Sequence, residues 1–316
     1  MTLSSERQLG KCSLCGRYPP VYLRRYSGER LCARCFNESI EMRVRRTISK
    51  YDLLKPFDRI AVGVSGGKDS LSLLKILQRI ERDFPRATLE AVLVDEGIPV
   101  YREESMRIAE EFASSLGVEL TKVSFKELFG FTLAEAVESG AAKELGLQPC
   151  TICGVLRRKA LTLAAKRVGA TVVAMAHTLD DVVQTYLLNL LRGEARIQPL
   201  GLRREAEGVI PRATPFRLIP EREVVFYAYL NKVPYQTHTC PYAHTSMRDP
   251  IRLFLTSYEE RYPGSLYAFL NSFEKMLLTQ KPREEENRCE ICGEPTNRRI
   301  CRACEIEMKI REKLRR

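Results

Sequence analysis

Residues 64 to 70 read Val64-Ser65-Gly66-Gly67-Lys68-Asp69-Ser70. The glycine pair can take positive φ and turn backbone N–H groups toward an anion. Ser65 and Ser70 add hydroxyls, and Lys68 adds a point charge. The amphipathic stretch that follows predicts a helix whose positive N-terminal end faces the same ligand. This is the chemistry of a phosphate cradle. It is not a Walker A loop, which needs glycine, four residues, then Gly-Lys-Ser/Thr. One lysine with an acid beside it suits a leaving pyrophosphate.

Cysteine spacing points to a second chemistry. Cys12, Cys15, Cys32 and Cys35 make two Cys-x-x-Cys knuckles near one end, and Cys289, Cys292, Cys301 and Cys304 repeat the arrangement near the other. Two paired thiolates grip one side of a tetrahedral ion, and the second pair closes it, so each set is expected to hold a structural zinc. Gly16 and Gly293 follow a knuckle where the chain must turn sharply. Cys150, Cys153 and Cys240 form a third set. Three thiolates can hold three irons of a 4Fe-4S cluster and leave one iron open. A persulfide on the pair, or a further zinc, remain alternatives. Eleven cysteines, an odd number, without an apolar signal region argue against a disulfide framework.

Apolar strands alternating with amphipathic helices must position these groups. Strands are expected at 59–64, 89–95, 118–125 and 170–177, with a short one at 213–217. Helices are expected at 70–82, 102–117, 155–169, 179–193 and 221–233, so that Cys150 and Cys153 precede a helix. This is the pattern of an α/β fold with a parallel, doubly wound sheet, which binds ligands at the carboxyl ends of its strands. Three motifs fall at such ends: Ser65–Ser70, Asp95-Glu96-Gly97 and His177–Asp181. Residues 247–278 read as two helices split at Pro263-Gly264, with aromatic residues at core spacing. Residues 279–288 read as a charged linker. The expected organisation is an amino-terminal zinc module with its following helix (1–50), a catalytic domain (51–280) and a carboxyl-terminal zinc module with a basic tail (281–316).

The 316 residues carry 51 lysines and arginines against 40 acids, a net charge of +11. That balance favours a polyanionic partner, RNA or DNA first. Basic residues inside both cysteine modules, Arg24 and Arg25 in one and Arg298, Arg299 and Arg302 in the other, suit RNA phosphates. No apolar run approaches a membrane span, and a soluble, cytoplasmic protein is expected.

Ser65–Ser70 after a strand resembles the signature of the PP-loop ATP pyrophosphatases, whose fold is adenine nucleotide alpha hydrolase-like. His177-Thr178-Leu179-Asp180-Asp181 resembles the family's second motif, with Thr178 where asparagine is usual. Residues 94–98, 127–132, 149–161 and 167–171, with the end modules, are similar to the tRNA 2-thiouridine synthesis branch of that family, of the wobble-uridine type. The resemblance covers nearly the whole chain.

It implies an adenylating tRNA sulfurtransferase using ATP and magnesium. The family cuts ATP between the α- and β-phosphates and places AMP on a substrate oxygen, here O2 of the wobble uridine, which sulfur then replaces. The same resemblance associates Cys150, Cys153 and Cys240 with an iron–sulfur cluster. It implies a nucleotide site of Val64–Ser70, Asp95, Arg157, His177, Asp180 and Asp181, with Arg157 facing the α-phosphate and Asp181 on magnesium or the adenylate. A ubiquitin-like carrier with a C-terminal thiocarboxylate, or sulfide, would supply sulfur, and a dimer or a second subunit is expected. The alternatives are the same chemistry on the T-loop uridine, where related enzymes tend to have lysine at the position of Arg157, and a non-catalytic tRNA-binding zinc protein with a nucleotide switch.

Overall fold

The computed structural model describes residues 10–193, 200–243, 248–278 and 287–315. The expected linker lies outside these residues over 279–286.

Five strands form a parallel sheet: β3 (Arg59–Val64), β4 (Thr88–Asp95), β5 (Leu120–Ser124), β6 (Val172–Ala174) and β7 (Arg212–Ala213), in the order β5-β4-β3-β6-β7. Register is continuous: Ile60 sits beside Leu89 on one side and Val172 on the other. The chain reverses its direction of travel across the sheet between β3 and β6, which makes that edge the switch point. Alternate residues serve two cores. Ile60, Val62, Val64 and Leu93 pack on one face, and Ala61, Val92 and Val94 on the other. Two-sided burial explains why these strands are continuously apolar.

Helices α2 (Lys68–Glu81) and α3 (Tyr101–Ser115) cover the first face, and α7 (Pro149–Arg167) covers the second. Short helices α4 (Phe125–Phe129), α5 (Leu133–Glu138) and α6 (Ala141–Glu144) fill the chain between β5 and α7. Helix α7 starts earlier than the sequence suggests. Gln148 is extended and Pro149 occupies the first turn, so Cys150 and Cys153 lie within the helix rather than before it. The helix runs through Gly154, which tertiary packing permits despite the propensity cost. The expected strand over 170–177 is cut to Val172–Ala174, and the one over 213–217 to Arg212–Ala213.

A third core joins α8 (Leu179–Leu191), α10 (Asp249–Arg261) and α11 (Ser265–Leu278). Leu266, Leu270 and Phe273 are buried there, as helical spacing predicts. Phe254, Tyr258 and Tyr262 depart from that expectation: they form an exposed row along α10, with successive ring centroids 5.8 and 5.0 Å apart.

Both end modules are fastened to the central sheet domain. Hairpin β1 (Tyr22–Arg24) and β2 (Glu29–Leu31) precedes α1 (Ala33–Lys50), which packs on α2 and α9 (Glu221–Leu230). Glu223 of α9 is fully buried. It accepts from Arg24 Nε at 3.0 Å and Tyr26 OH at 2.7 Å, and pairs with Arg43 of α1. At the other end, hairpin β8 (Asn287–Arg288) and β9 (Pro295–Thr296) leads to α12 (Arg302–Arg315), which docks on α7 through Ile306 and Ile310.

A buried acid serving two guanidinium groups is costly to remove, because both cations lose their partner. Glu223→Ala is expected to lower the unfolding free energy by about 3–5 kcal/mol, read from denaturant titration. A loss under a tenth of that would show the anchor to be dispensable.

Candidate active site

Gly66 at φ +77° shapes the loop after β3. A Cβ there would meet the backbone oxygen of Ser105 at 2.3 Å, so no other residue fits. Ser70 Oγ accepts from Ser65 N at 3.1 Å and donates to Gly67 O at 3.0 Å, which locks the turn. Gly67 is the N-cap of α2 and lacks a side-chain cap. Its helix therefore presents its first N–H groups outward, as an anion cradle requires.

Acids surround the loop's lysine. Lys68 Nζ lies 3.0 Å from Asp69 Oδ2 and 2.8 Å from Glu221 Oε1. Burial opposes its charge, but these carboxylates hold the ammonium above the usual lysine range. Asp180 Oδ2 accepts from Glu221 N at 2.7 Å and so caps α9. Asp181 closes a capping box with Thr178 at the start of α8. The Thr178 hydroxyl thus does the capping expected of asparagine. Burial pushes Asp69 and Asp180 up to about 6, and Asp181 and Glu221 add to both. Asp69 Oδ1 is buried without a hydrogen-bond partner. The unpartnered Asp69 oxygen is a hard donor of the type a divalent cation such as magnesium takes.

At the end of β4, Asp95 Oδ1 accepts from Gly97 N at 2.8 Å. Glu96, buried beside it, went unrecognised at the level of sequence. It pairs with Arg102 at 2.6 Å and Arg157 at 2.5 Å. The motif Asp95-Glu96-Gly97 was the signal, but nothing local indicates a partner as distant in the chain as Arg157.

The third cysteine set assembles next to this pair. Cys153 is buried on α7, and Cys240 packs against the same core. Cys150 donates to Tyr242 O at 3.0 Å, tying the helix to the segment of Cys240. Arg157 donates to Cys153 Sγ at 3.2 Å. Burial pushes the Cys153 thiol up to about 11 against the pull of Arg157. Gln236 N donates to Gly66 O at 3.1 Å, so the strand of chain reaching Cys240 touches the nucleotide loop. Among the described residues, the sets whose ligand atoms all lie within 4.8 Å of one another are the two end modules alone. Cys150, Cys153 and Cys240 are more widely spread than a single tetrahedral ion needs, since its thiolates sit roughly 3.8 Å apart. Three soft thiolates are the donor type that a multi-iron cluster takes.

The end modules fit one ion each. Cys15 and Cys32 sulfurs are 3.9 Å apart, and Cys292 and Cys301 sulfurs 3.7 Å. Gly16 N and Gly293 N donate to Cys12 O and Cys289 O, both at 2.9 Å, giving the same knuckle turn twice. Although burial opposes it, backbone N–H groups lower the Cys12 and Cys289 thiols to about 6. Lys159 of α7 reaches Cys304 Sγ at 3.3 Å and Glu307 at 2.7 Å.

His177 follows β6. Burial holds it below the usual histidine range, and Arg248, Arg212 and Arg158 add to this against Asp181. Arg212 donates to Arg158 O and Thr162 Oγ1, each at 2.8 Å, and Arg248 to Gln184 Oε1 at 3.3 Å. Burial and the neighbouring cations lower both Arg158 and Arg212. A mutually repelling guanidinium cluster beside the site suits an anionic ligand.

The raised Asp69 has a stability consequence with a definite sign. The folded protein holds its proton to about pH 6, while the unfolded chain releases it near 3.8. The folded state binds more protons in that window, so this contribution is full at low pH and is lost as pH rises toward 6. The melting temperature of Asp69→Asn, relative to the parent, should therefore climb between pH 4 and pH 7 in magnesium-free buffer. A flat or falling difference would contradict the assignment.

The PP-loop domain family matches residues 36–258. A probable sulfurtransferase of Methanocaldococcus jannaschii is 36% identical over 97% of this chain and 89% of its own length. The tRNA 2-thiolation protein NcsA of Haloferax volcanii is 34% identical over 94% of this chain and 98% of its own. A solved structure of the U34-tRNA thiolase NcsA from Methanococcus maripaludis, with its 4Fe-4S cluster, superposes with a TM-score of 0.82 at 31% identity, covering 94% of this chain and 95% of that one. A match to the PP-loop domain over residues 36–258, together with relatives above 30% identity that are aligned over more than nine-tenths of the chain, shows that the chain belongs to the PP-loop family of tRNA 2-thiolation proteins.

Proposed function

We propose that this protein is an ATP-dependent tRNA sulfurtransferase that converts the wobble uridine to 2-thiouridine. The observation that carries the reading is the meeting of the nucleotide loop with the three-cysteine set: Gln236 holds Gly66 while the same segment delivers Cys240 to Cys153. A nucleotide switch without transfer chemistry does not need those thiols.

The uridine C2 oxygen is a poor leaving group. It attacks the α-phosphorus of ATP as N3 gives up its proton, the α–β bridging bond breaks, and pyrophosphate departs. Lys68, the N–H groups of Ser65–Ser70 and the start of α2 stabilise the developing charge. Asp69, Asp180 and Asp181 would hold magnesium, which would neutralise charge on the phosphates, and Asp95 and His177 would border the nucleotide. Arg157, which donates to Cys153 Sγ, would face the α-phosphate, where its planar fork suits phosphate oxygens. Sulfide sulfur then forms a bond to C2, and the C2–O bond breaks with AMP taking the oxygen. When bound by Cys150, Cys153 and Cys240, a 4Fe-4S cluster would supply an open iron for sulfur, as soft ligands on three irons allow. Zinc is assigned to Cys12, Cys15, Cys32 and Cys35 and to Cys289, Cys292, Cys301 and Cys304. The three-part division at residues 50 and 280 stands as the working organisation.

The target base must leave its stack to reach this edge, and a single-stranded anticodon loop permits that most readily. Arg158 and Arg212 gather positive charge beside His177, and the Phe254–Tyr258–Tyr262 row offers stacking faces. A ubiquitin-like thiocarboxylate carrier or free sulfide donates sulfur in the cytoplasm, and two chains or a second subunit form the working assembly.

Anaerobic protein with a reconstituted cluster, incubated with ATP, magnesium, sulfide and a lysine tRNA transcript, is expected to give RNA retarded in a mercury gel. A transcript with cytidine at the wobble position should not shift. Retardation of both would move the target to the T-loop. Lys68→Ala should stop AMP formation, whereas Cys150→Ser should stop thiolation and leave tRNA binding near the parent value. Thiolation by Cys150→Ser would sink the sulfur chemistry.

The double variant Arg158→Gln, Arg212→Gln is expected to flatten the log–log salt dependence of tRNA affinity by about 2. An unchanged slope would remove these arginines from the RNA surface.

A further inference from the structure

One buried carboxylate joins the two halves of the site. Glu96 is 1% exposed and follows β4. Its Oε2 lies 2.6 Å from Arg102 Nε and its Oε1 lies 2.5 Å from Arg157 Nε. These are charge contacts without aligned N–H groups, for neither carboxylate oxygen has a hydrogen-bond donor. Arg102 continues toward the nucleotide loop: its guanidinium donates to Ser65 O at 3.2 Å, to Ser105 Oγ at 3.2 Å and to Val94 O. Ser105 is the residue against which Gly66 packs. Arg157 continues the other way and donates to Cys153 Sγ at 3.2 Å. The sequence Ser65–Arg102–Glu96–Arg157–Cys153 is an unbroken line of polar contacts from phosphate cradle to thiol.

A pair kept only for stability has no need of this form. Apolar residues of similar volume do as well in a core. Arg157 is also 44% exposed, and it ends on a cysteine rather than in the core. The buried charge is retained where it fixes geometry on both sides.

We propose that Glu96 is a positioning residue that aligns the nucleotide loop through Arg102 and the three-cysteine set through Arg157. The role at the cysteines rests on the reading above that Cys150, Cys153 and Cys240 hold an iron–sulfur cluster. The role at the loop does not.

The two arms can be cut separately. Glu96→Gln, Glu96→Asp, Arg102→Gln and Arg157→Gln are made in the full chain with zinc loaded, and thermal melts confirm folding. A fluorescent, non-hydrolysable ATP analogue reports the loop in cluster-free protein. Electron paramagnetic resonance of the reduced, reconstituted cluster, without nucleotide, reports the cysteines. Arg102→Gln is expected to weaken the analogue on the order of tenfold, as loss of a charged hydrogen bond does, with the resonance spectrum unchanged. Arg157→Gln is expected to shift the spectrum. Glu96→Gln should do both, and Glu96→Asp should restore part of each.

Parent-like affinity together with a parent-like spectrum in Glu96→Gln would overturn the proposal. So would an Arg102→Gln spectrum shifted as strongly as that of Arg157→Gln, because that marks general collapse. Should the parent protein take up no cluster, the cluster reading fails by itself. The affinities of Glu96→Gln and Arg102→Gln then still decide the role of Glu96 at the loop.

Discussion

Everything at the site depends on the parallel hydrogen-bonded register of β3 with β4 and β6. Parallel pairing sends all three strands toward the same edge, so the turns that follow them must crowd together. Those turns carry Ser65–Ser70, Asp95–Gly97 and His177–Asp181. Because the chain travels outward in opposite directions from β3, the turns after β3 and β6 diverge and leave a crevice between them. An antiparallel neighbour would have sent one of these motifs to the far end of the sheet.

Electrostatic sorting then divides that edge. Acids collect near Lys68, where Asp69, Asp180, Asp181 and Glu221 raise one another's proton affinity or hold the ammonium charged. Cations collect beside His177, where Arg158, Arg212 and Arg248 repel one another. The line through Glu96 runs between the loop and the thiols, where burial makes each charge depend on its partner. Fixed charges of both signs thus face the same edge of the sheet, with the three-cysteine segment joined to it through Gln236.

The end modules are integral to this arrangement. Arg24 and Arg43 reach Glu223 on α9, whose first residue, Glu221, holds Lys68. Lys159 sits on the same helix as Cys150 and Cys153 and reaches the other module at Cys304. Each cysteine module is therefore joined to a helix that also carries a residue of the site.

Sequence alone determined whatever a few consecutive residues control. The Cys-x-x-Cys knuckles, the Gly66-Gly67 turn and the alternating strands and helices are local geometry, and they appear where spacing and periodicity place them. Even there, Gly154 concealed the true start of α7, because helix propensity yields to packing. Only the tertiary structure decided which long-range partners meet. Glu96 with Arg157, Glu223 with Arg24, and Cys150 with Tyr242 are far apart in the chain, and their contacts exist because the sheet and helices bring them together. The physical reason is that a turn or knuckle is fixed by backbone torsions over a few residues, whereas a buried ion pair forms only after folding removes its water.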